Sequence, residues 1–248
     1  MGTLDEITDY AVALKLDYLK SNLLNILDVA KATDQTYQDL LLTVLKKEIL
    51  LRDKKSEERR LKSAAFPVIK TIEEFDLTFQ SSISKRQING LLELDWIDRI
   101  YNLIFLGPPG VGKTHIAIAL GYKAIQEGYN VSFVAMDGLM HILKTAEISR
   151  KSKGRLNRIL GSSLVIIDEL GYLPISREEA NLFFGLISTL HEQTSLIITS
   201  NKGFEDWTEL LGDPALTTAV LDRITYRCEV FTMSGKSYRL EHRQSLFE

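Results

Sequence analysis

The sequence predicts an α/β fold in which helices cover both faces of a five-stranded parallel sheet, preceded by a small all-α N-terminal domain. Three observations carry this. Residues 1 to about 65 hold no proline and a single glycine, and their apolar positions recur at helical spacing. From Tyr101 onward, short apolar runs alternate with amphipathic stretches. Most of those runs are predominantly apolar, without the regular in-out alternation of a sheet that has one wet face, which is the mark of parallel strands buried on both sides.

The elements follow in order. In the N-terminal part the apolar series is Leu14, Leu16, Leu19, Leu23, Leu24, Ile26 and Leu27, then Leu41, Val44, Leu45 and Ile49. Thr36-Tyr37-Gln38-Asp39 has the form of a capping box opening the last of these helices. That helix turns charged through Arg52, Asp53, Lys54, Lys55, Glu57, Glu58, Arg59 and Arg60, and its end is expected near Lys62. The first domain is placed at 1–65. Residues 66–100 read as a connection with a short helix near 85–94. The second domain is placed at 101–248, with strands at 102–106, 131–135, 164–167, 196–199 and about 229–233. Its helices are expected at 113–127, 138–147, 156–160, 177–192 and 214–225, and Ser176-Arg177-Glu178-Glu179 is a capping box for the fourth. No internal repeat or low-complexity tract occurs.

Composition narrows the function. Of 248 residues 45% are apolar and 25% charged, as in ordinary folded domains. A net charge of -3 gives no global basic field to hold a polyanion, so any nucleic-acid contact must come from a local patch. The single cysteine, Cys228, excludes an intrachain disulfide and a Cys-rich zinc site. His115, His141, His191 and His242 show no metal-ligand spacing. The N-terminus has no basic region followed by an apolar run. Gly2 is followed by Glu6 where a myristoylation signal wants Ser or Thr. No apolar stretch approaches the roughly 20 residues of a membrane span. The expectation is a cytoplasmic protein with no membrane partner.

Gly107-Pro108-Pro109-Gly110-Val111-Gly112-Lys113-Thr114 matches the phosphate-binding P-loop at every fixed position. Glycines allow main-chain amides to turn inward around a phosphate, and the free N–H groups of the following helix face the same anion. Lys113 is expected to reach the β- and γ-phosphates of a nucleotide, and Thr114 to offer its hydroxyl to Mg2+. An apolar strand precedes the loop and an amphipathic helix follows it, as the motif requires. The expected cofactors are therefore ATP and Mg2+.

Two further strand ends complete the constellation. Leu164-Val165-Ile166-Ile167 ends in Asp168 and Glu169. Asp168 is expected to bind the metal through its water shell, and Glu169 to orient and polarise the attacking water. Leu196-Ile197-Ile198-Thr199-Ser200 ends in Asn201, placed to hold that water from the other side. A small-molecule phosphotransferase is disfavoured, because such an enzyme gains nothing from a water-activating carboxylate.

Gly107 to His115, Ile166-Ile-Asp-Glu-Leu-Gly-Tyr172, Thr199-Ser-Asn-Lys202, Leu221-Asp-Arg-Ile224 and Gly235-Lys-Ser-Tyr-Arg239 together resemble the IstB/DnaC branch of the AAA+ ATPases, most closely its IstB-like members, which are ATP-dependent helpers of insertion-sequence transposases. The resemblance spans nearly the whole chain. It implies the three-layer AAA+ fold with sheet order 5-1-4-3-2. It also implies that Asn201 is the sensor-1 residue, Arg223 an arginine finger acting on a neighbouring subunit, and Arg239 the sensor-2 arginine of a small C-terminal lid. In this branch a helical insertion before the Asp-Glu strand contributes to DNA binding. The matching stretch here carries Lys144, Arg150, Lys151, Lys153, Arg155 and Arg158, with Glu147 its only acid.

The resemblance thus implies a homo-oligomer, ring or helical, that binds double-stranded DNA in an ATP-dependent way and recruits or activates a transposase. A DnaC-like role, in which the partner is a replicative helicase, shares the same ATPase core and stays open as the alternative. The N-terminal domain holds no cysteine, which excludes a zinc-bearing loader module.

Overall fold

The structure is a computed structural model and describes residues 2–171 and 175–243. The chain divides into two compact units, Met1–Arg59 and Arg60–Glu248.

The first unit contains α1 (Thr3–Ala13), α2 (Asp17–Ala32) and the greater part of α3 (Tyr37–Ala64). Leu16, at the start of α2, has no side chain able to cap it. Glu48 of α3 supplies the missing acceptor. Its buried carboxylate takes the backbone N–H groups of Asp17 at 2.9 Å and Tyr18 at 2.8 Å, where the helix dipole also favours a negative charge. Thr36 caps α3, its hydroxyl oxygen accepting the Asp39 N–H at 3.2 Å.

The second unit is built on a five-stranded sheet. Its strands are β1 (Asn102–Leu106), β2 (Val131–Ala135), β3 (Leu164–Leu170), β4 (Ser195–Ser200) and β5 (Cys228–Thr232). All pairings are parallel, in the order β2-β3-β4-β1-β5. From the other edge this reads 5-1-4-3-2, as expected. Alternate residues of β1 enter opposite layers: Leu103 and Phe105 join one core cluster, Ile104 and Leu106 the other. The first layer is closed by α4 (Lys85–Leu92), α5 (Asp95–Asp98) and α6 (Lys113–Gln126). The second is closed by α7 (Met136–Thr145), α8 (Arg150–Leu160), α9 (Arg177–Leu190), α10 (Trp207–Leu211) and α11 (Pro214–Thr225). A short α12 (Tyr238–Glu241) follows β5.

The structure departs from the sequence reading at several elements. α8 starts at Arg150 rather than near 156, because Ser149 caps it by accepting the Ser152 N–H at 3.3 Å. Its exposed charges and Gly154 had hidden the periodicity. α10 was not expected at all, yet its Trp207 is fully buried. Residues 66–100, read as a connection, send Ile83, Ile88, Leu91, Leu94, Trp96 and Ile97 into the first core layer. No helix among the described residues is long and apolar enough to cross a membrane.

Candidate phosphate-binding site

The loop between β1 and α6 lies at the C-terminal ends of the parallel strands, where α/β sheets place their ligands. Its glycines answer to contacts as well as to conformation. At Gly107, with φ +144°, a Cβ would fall 1.9 Å from the Met233 carbonyl oxygen. At Gly112, with φ +100°, it would fall 2.5 Å from the Phe75 ring. Gly112 is also the N-cap of α6 and provides no capping side chain. The first N–H groups of that helix are therefore left for an anion.

Lys113 is buried to 9% exposure, and its ammonium donates to the carbonyls of Gly107 at 2.6 Å and Pro108 at 2.8 Å. Burial pushes its pKa below the ordinary lysine value. Asp168 opposes that shift, Arg239 adds to it and Glu169 opposes it. Arg239, on α12, is thus close enough for its charge to be felt at the loop lysine. The segment carrying it is tied to the loop by the Tyr238 N–H, which donates to the Gly110 carbonyl at 3.0 Å.

The end of β3 is irregular. Ile167 pairs with Ile198 but Leu170 pairs with Ser200, so β3 carries one extra residue in a β-bulge. Glu169 takes up the excess with φ +62°, a left-handed conformation unusual for a residue with a Cβ. Asp168, before it, is 5% exposed, and its Oδ1 accepts hydroxyls from Thr114 at 2.8 Å and Thr199 at 2.6 Å. The Thr199 hydroxyl oxygen also accepts the Glu169 N–H at 3.0 Å. Asn201 is exposed, and its Oδ1 would lie 3.3 Å from a Cβ on Gly171, so it overlies the turn just beyond the bulge. Tyr172, the last residue of the Asp-Glu-Leu-Gly-Tyr string, lies outside the described residues.

Lys113, Thr114, His115, Asp168, Glu169, Asn201 and Arg239 line one cavity of about 1120 Å³, with Pro109, Gly110, Val111 and Gly112 of the loop. Its far wall, which the sequence reading missed, is formed by residues 68–80, among them Val68, Phe75, Phe79 and Gln80. His115 anchors that wall: its Nε2 donates to the Thr71 carbonyl at 2.8 Å, and Phe75 meets its ring edge-on at 5.3 Å. The segment lacks strong periodicity, and its apolar residues, such as Ile72, Phe75, Leu77 and Phe79, are scattered without a helical or strand period.

Arg223 is not brought to this cavity. It sits in the last turn of α11, with its guanidinium 4.7 Å above the Phe184 ring and Nη1 donating to the Ala219 carbonyl at 2.8 Å. The basic stretch is also divided. Lys144 pairs with Glu179 at 3.0 Å. Arg155 corrects the expectation of a phosphate-facing side chain. Its guanidinium turns inward and donates to the carbonyls of Ser63 at 2.9 Å, Ala64 at 3.2 Å and Phe133 at 2.6 Å. Ser63 and Ala64 are the last residues of α3, whose final carbonyls lack helical partners. Arg150, Lys151, Lys153 and Arg158 remain exposed on α8.

The residues suit a hard cation. Among the described residues no group of three or more His, Cys, Asp or Glu side chains could cage a metal. A hydroxyl and a carboxylate 2.8 Å apart match Mg2+, which takes few protein ligands and keeps water and substrate phosphates for the rest.

Known proteins share this sequence and this fold. Residues 9–246 match the family of IstB-like ATP binding proteins. The chain is 41% identical over 231 residues to an insertion sequence IS21 ATP-binding protein of Pseudomonas aeruginosa, covering 93% of this chain and 87% of that one. It is 38% identical over 242 residues to an IS21-like ATP-binding protein of Bacteroides fragilis, covering 98% and 92%. Among solved structures, DnaI superposes with a TM-score of 0.55 at 18% identity, over 68% of this chain and 90% of that one. AMPPCP-bound DnaA from Aquifex aeolicus gives 0.52 at 19%, over 68% and 51%. The fold is that of the AAA+ P-loop proteins.

Proposed function

The chain belongs to the IstB-like ATP binding proteins, and from that premise we propose that it is a Mg2+-dependent ATPase that assembles with its own copies on duplex DNA and serves a transposase. One observation supports the chemistry above others: a buried lysine, a hydroxyl–carboxylate pair and a left-handed glutamate line a single cavity at the strand ends.

In this reading the loop amides from Gly107 to Gly112 and the start of α6 hold the β-phosphate. Lys113 leaves the Gly107 and Pro108 carbonyls for the β- and γ-phosphate oxygens. Thr114 and Asp168 would hold Mg2+, which when bound would offset the charge of the phosphates. A water oriented by Asn201 attacks the γ-phosphorus, Glu169 takes its proton, and the bond to the bridging oxygen of ADP breaks. Arg239 approaches the γ-phosphate from the lid.

Arg223 lies outside the cavity of its own chain, so we assign it to the nucleotide of a neighbouring copy. Such fingers contribute about 10³- to 10⁵-fold in rate, which would link hydrolysis to assembly. The exposed α8 cations would meet DNA phosphates, and the family's association with insertion sequences supports a transposase as the partner. Gel-shift assays with duplex DNA in ATP, in a non-hydrolysable analogue and in ADP test this. Retention is expected with the first two only. Binding indifferent to nucleotide overturns the ATP-dependent assembly, and co-purification with a hexameric helicase in place of a transposase overturns the choice of partner.

A further inference from the structure

The Thr199 side chain has an environment that ordinary sheet packing does not require. It is 1% exposed, sits in the centre of the sheet opposite Phe105, and carries a hydroxyl where a valine would fill the same volume. That hydroxyl is used twice. It donates to Asp168 Oδ1 at 2.6 Å and accepts the Glu169 N–H at 3.0 Å. Both contacts arise from the bulge. The extra residue in β3 breaks the ladder between Ile167 and Leu170, so the Glu169 amide loses the β4 carbonyl that a regular pairing would give it. The Thr199 oxygen stands in for that carbonyl.

We propose that Thr199 is a positioning residue for ATP hydrolysis, its one buried hydroxyl fixing the Asp168 carboxylate and the left-handed Glu169 backbone together. The inference rests on the ATPase reading above. Thr114 also holds Asp168, but its oxygen is the one a bound Mg2+ would take. Thr199 is then the side chain left to orient Asp168, because Oδ2 has no protein hydrogen bond among the described residues. A single atom therefore sets both the oxygen that faces the metal's water shell and the direction in which the glutamate leaves the strand. Neighbours of this kind, which orient a metal-binding group without touching the metal, change affinity or activity by about 10- to 100-fold when removed.

The test compares wild type, Thr199→Val, Thr199→Ala and Thr199→Ser, with duplex DNA present. Binding of a fluorescent ATP analogue is measured in EDTA and in Mg2+, beside kcat, KM and thermal melting. In EDTA the Val variant is expected to bind like wild type, because the loop and Lys113 are untouched. In Mg2+ it is expected to lose most of the metal's contribution to affinity, and kcat is expected to fall about 10- to 100-fold. The Ser variant, which keeps the hydroxyl, is expected to stay within about threefold of wild type, below the lower limit of that range. The Ala variant removes the hydroxyl without setting a methyl against Asp168, so it gives the same answer should the Val variant not fold. Undiminished kcat in Val or Ala overturns the proposal. So does a loss of affinity in EDTA that matches the loss of turnover, which is the signature of general damage, and so does a Ser variant as inactive as Val. Wild-type protein that binds and turns over no ATP overturns the ATPase reading itself, and this inference with it.

Discussion

Thr114 and Asp168 share a hydrogen bond of 2.8 Å although 54 positions separate them. It joins the first turn of α6 to the end of β3, so the element that follows the phosphate loop is fastened to the one that carries the acid. Two motifs read separately in the sequence form one unit of oxygen donors.

Replacing Lys113 by alanine removes the one buried ammonium at the loop. Hydrogen bonds from a charged group contribute up to about 3 kcal/mol, which corresponds to roughly 100-fold in affinity. Nucleotide binding by isothermal calorimetry should weaken by up to about that factor. An unchanged dissociation constant would remove Lys113 from the site.

Glu169→Gln keeps the shape of the side chain and removes its basicity. ATP affinity should remain, and turnover should fall by about 10² to 10⁴, the usual share of a positioned general base. DNA-bound assemblies should then persist under conditions in which wild type disperses. Normal turnover in this variant would mean that another group activates the water.

Arg155 and Lys153, two positions apart on α8, should behave in opposite ways. Arg155→Ala strands three carbonyls, two of them at the end of α3, and should cost about 3 kcal/mol of stability in urea unfolding. Lys153→Ala should change stability by less than about 0.5 kcal/mol and lower the salt slope of DNA binding by about one. A reversed outcome would show that the inward hydrogen bonds of Arg155 do not hold in solution.

Cys228 offers an internal reporter of folding. Burial, with Glu229 adding to it, pushes its thiol up to about 12, and the thiolate is the reactive form. Native protein at pH 8 should resist iodoacetamide, and denatured protein should be alkylated at once, as mass spectrometry would record. The same shift has a consequence for stability. Since the folded-state value is raised, this contribution is full below about pH 8.5 and is lost as the pH rises toward about 12. Rapid labelling of folded protein would contradict the partial burial of the thiol.

The legible parts of this protein were those written in local chemistry. The run from Gly107 to Thr114 needs its glycines at fixed offsets, so it could be read residue by residue. Asp168 and Glu169 stood at the end of an unbroken apolar strand, which singled them out. Residues 68–80 were not legible, because they form a cavity wall by packing against His115 and the loop, with no helical or strand period of their own. Arg155 was misread for a related reason. In sequence it is one cation among several, and only the fold reveals that the unpaired carbonyls of α3 end beside it. The role of Thr199 depends on a bulge in a different strand, and nothing near Thr199 in the sequence announces that.

The positive φ of Glu169 also bears on how variants of this protein should be chosen. Glycine at that position would relax the backbone and could raise stability by about 1 kcal/mol. A screen that rewards only heat tolerance would therefore favour it, and under the proposed role of Glu169 would return hardy molecules with slowed ATP turnover. Improvement by thermal selection should hold position 169 constant and look for its gains elsewhere in the chain.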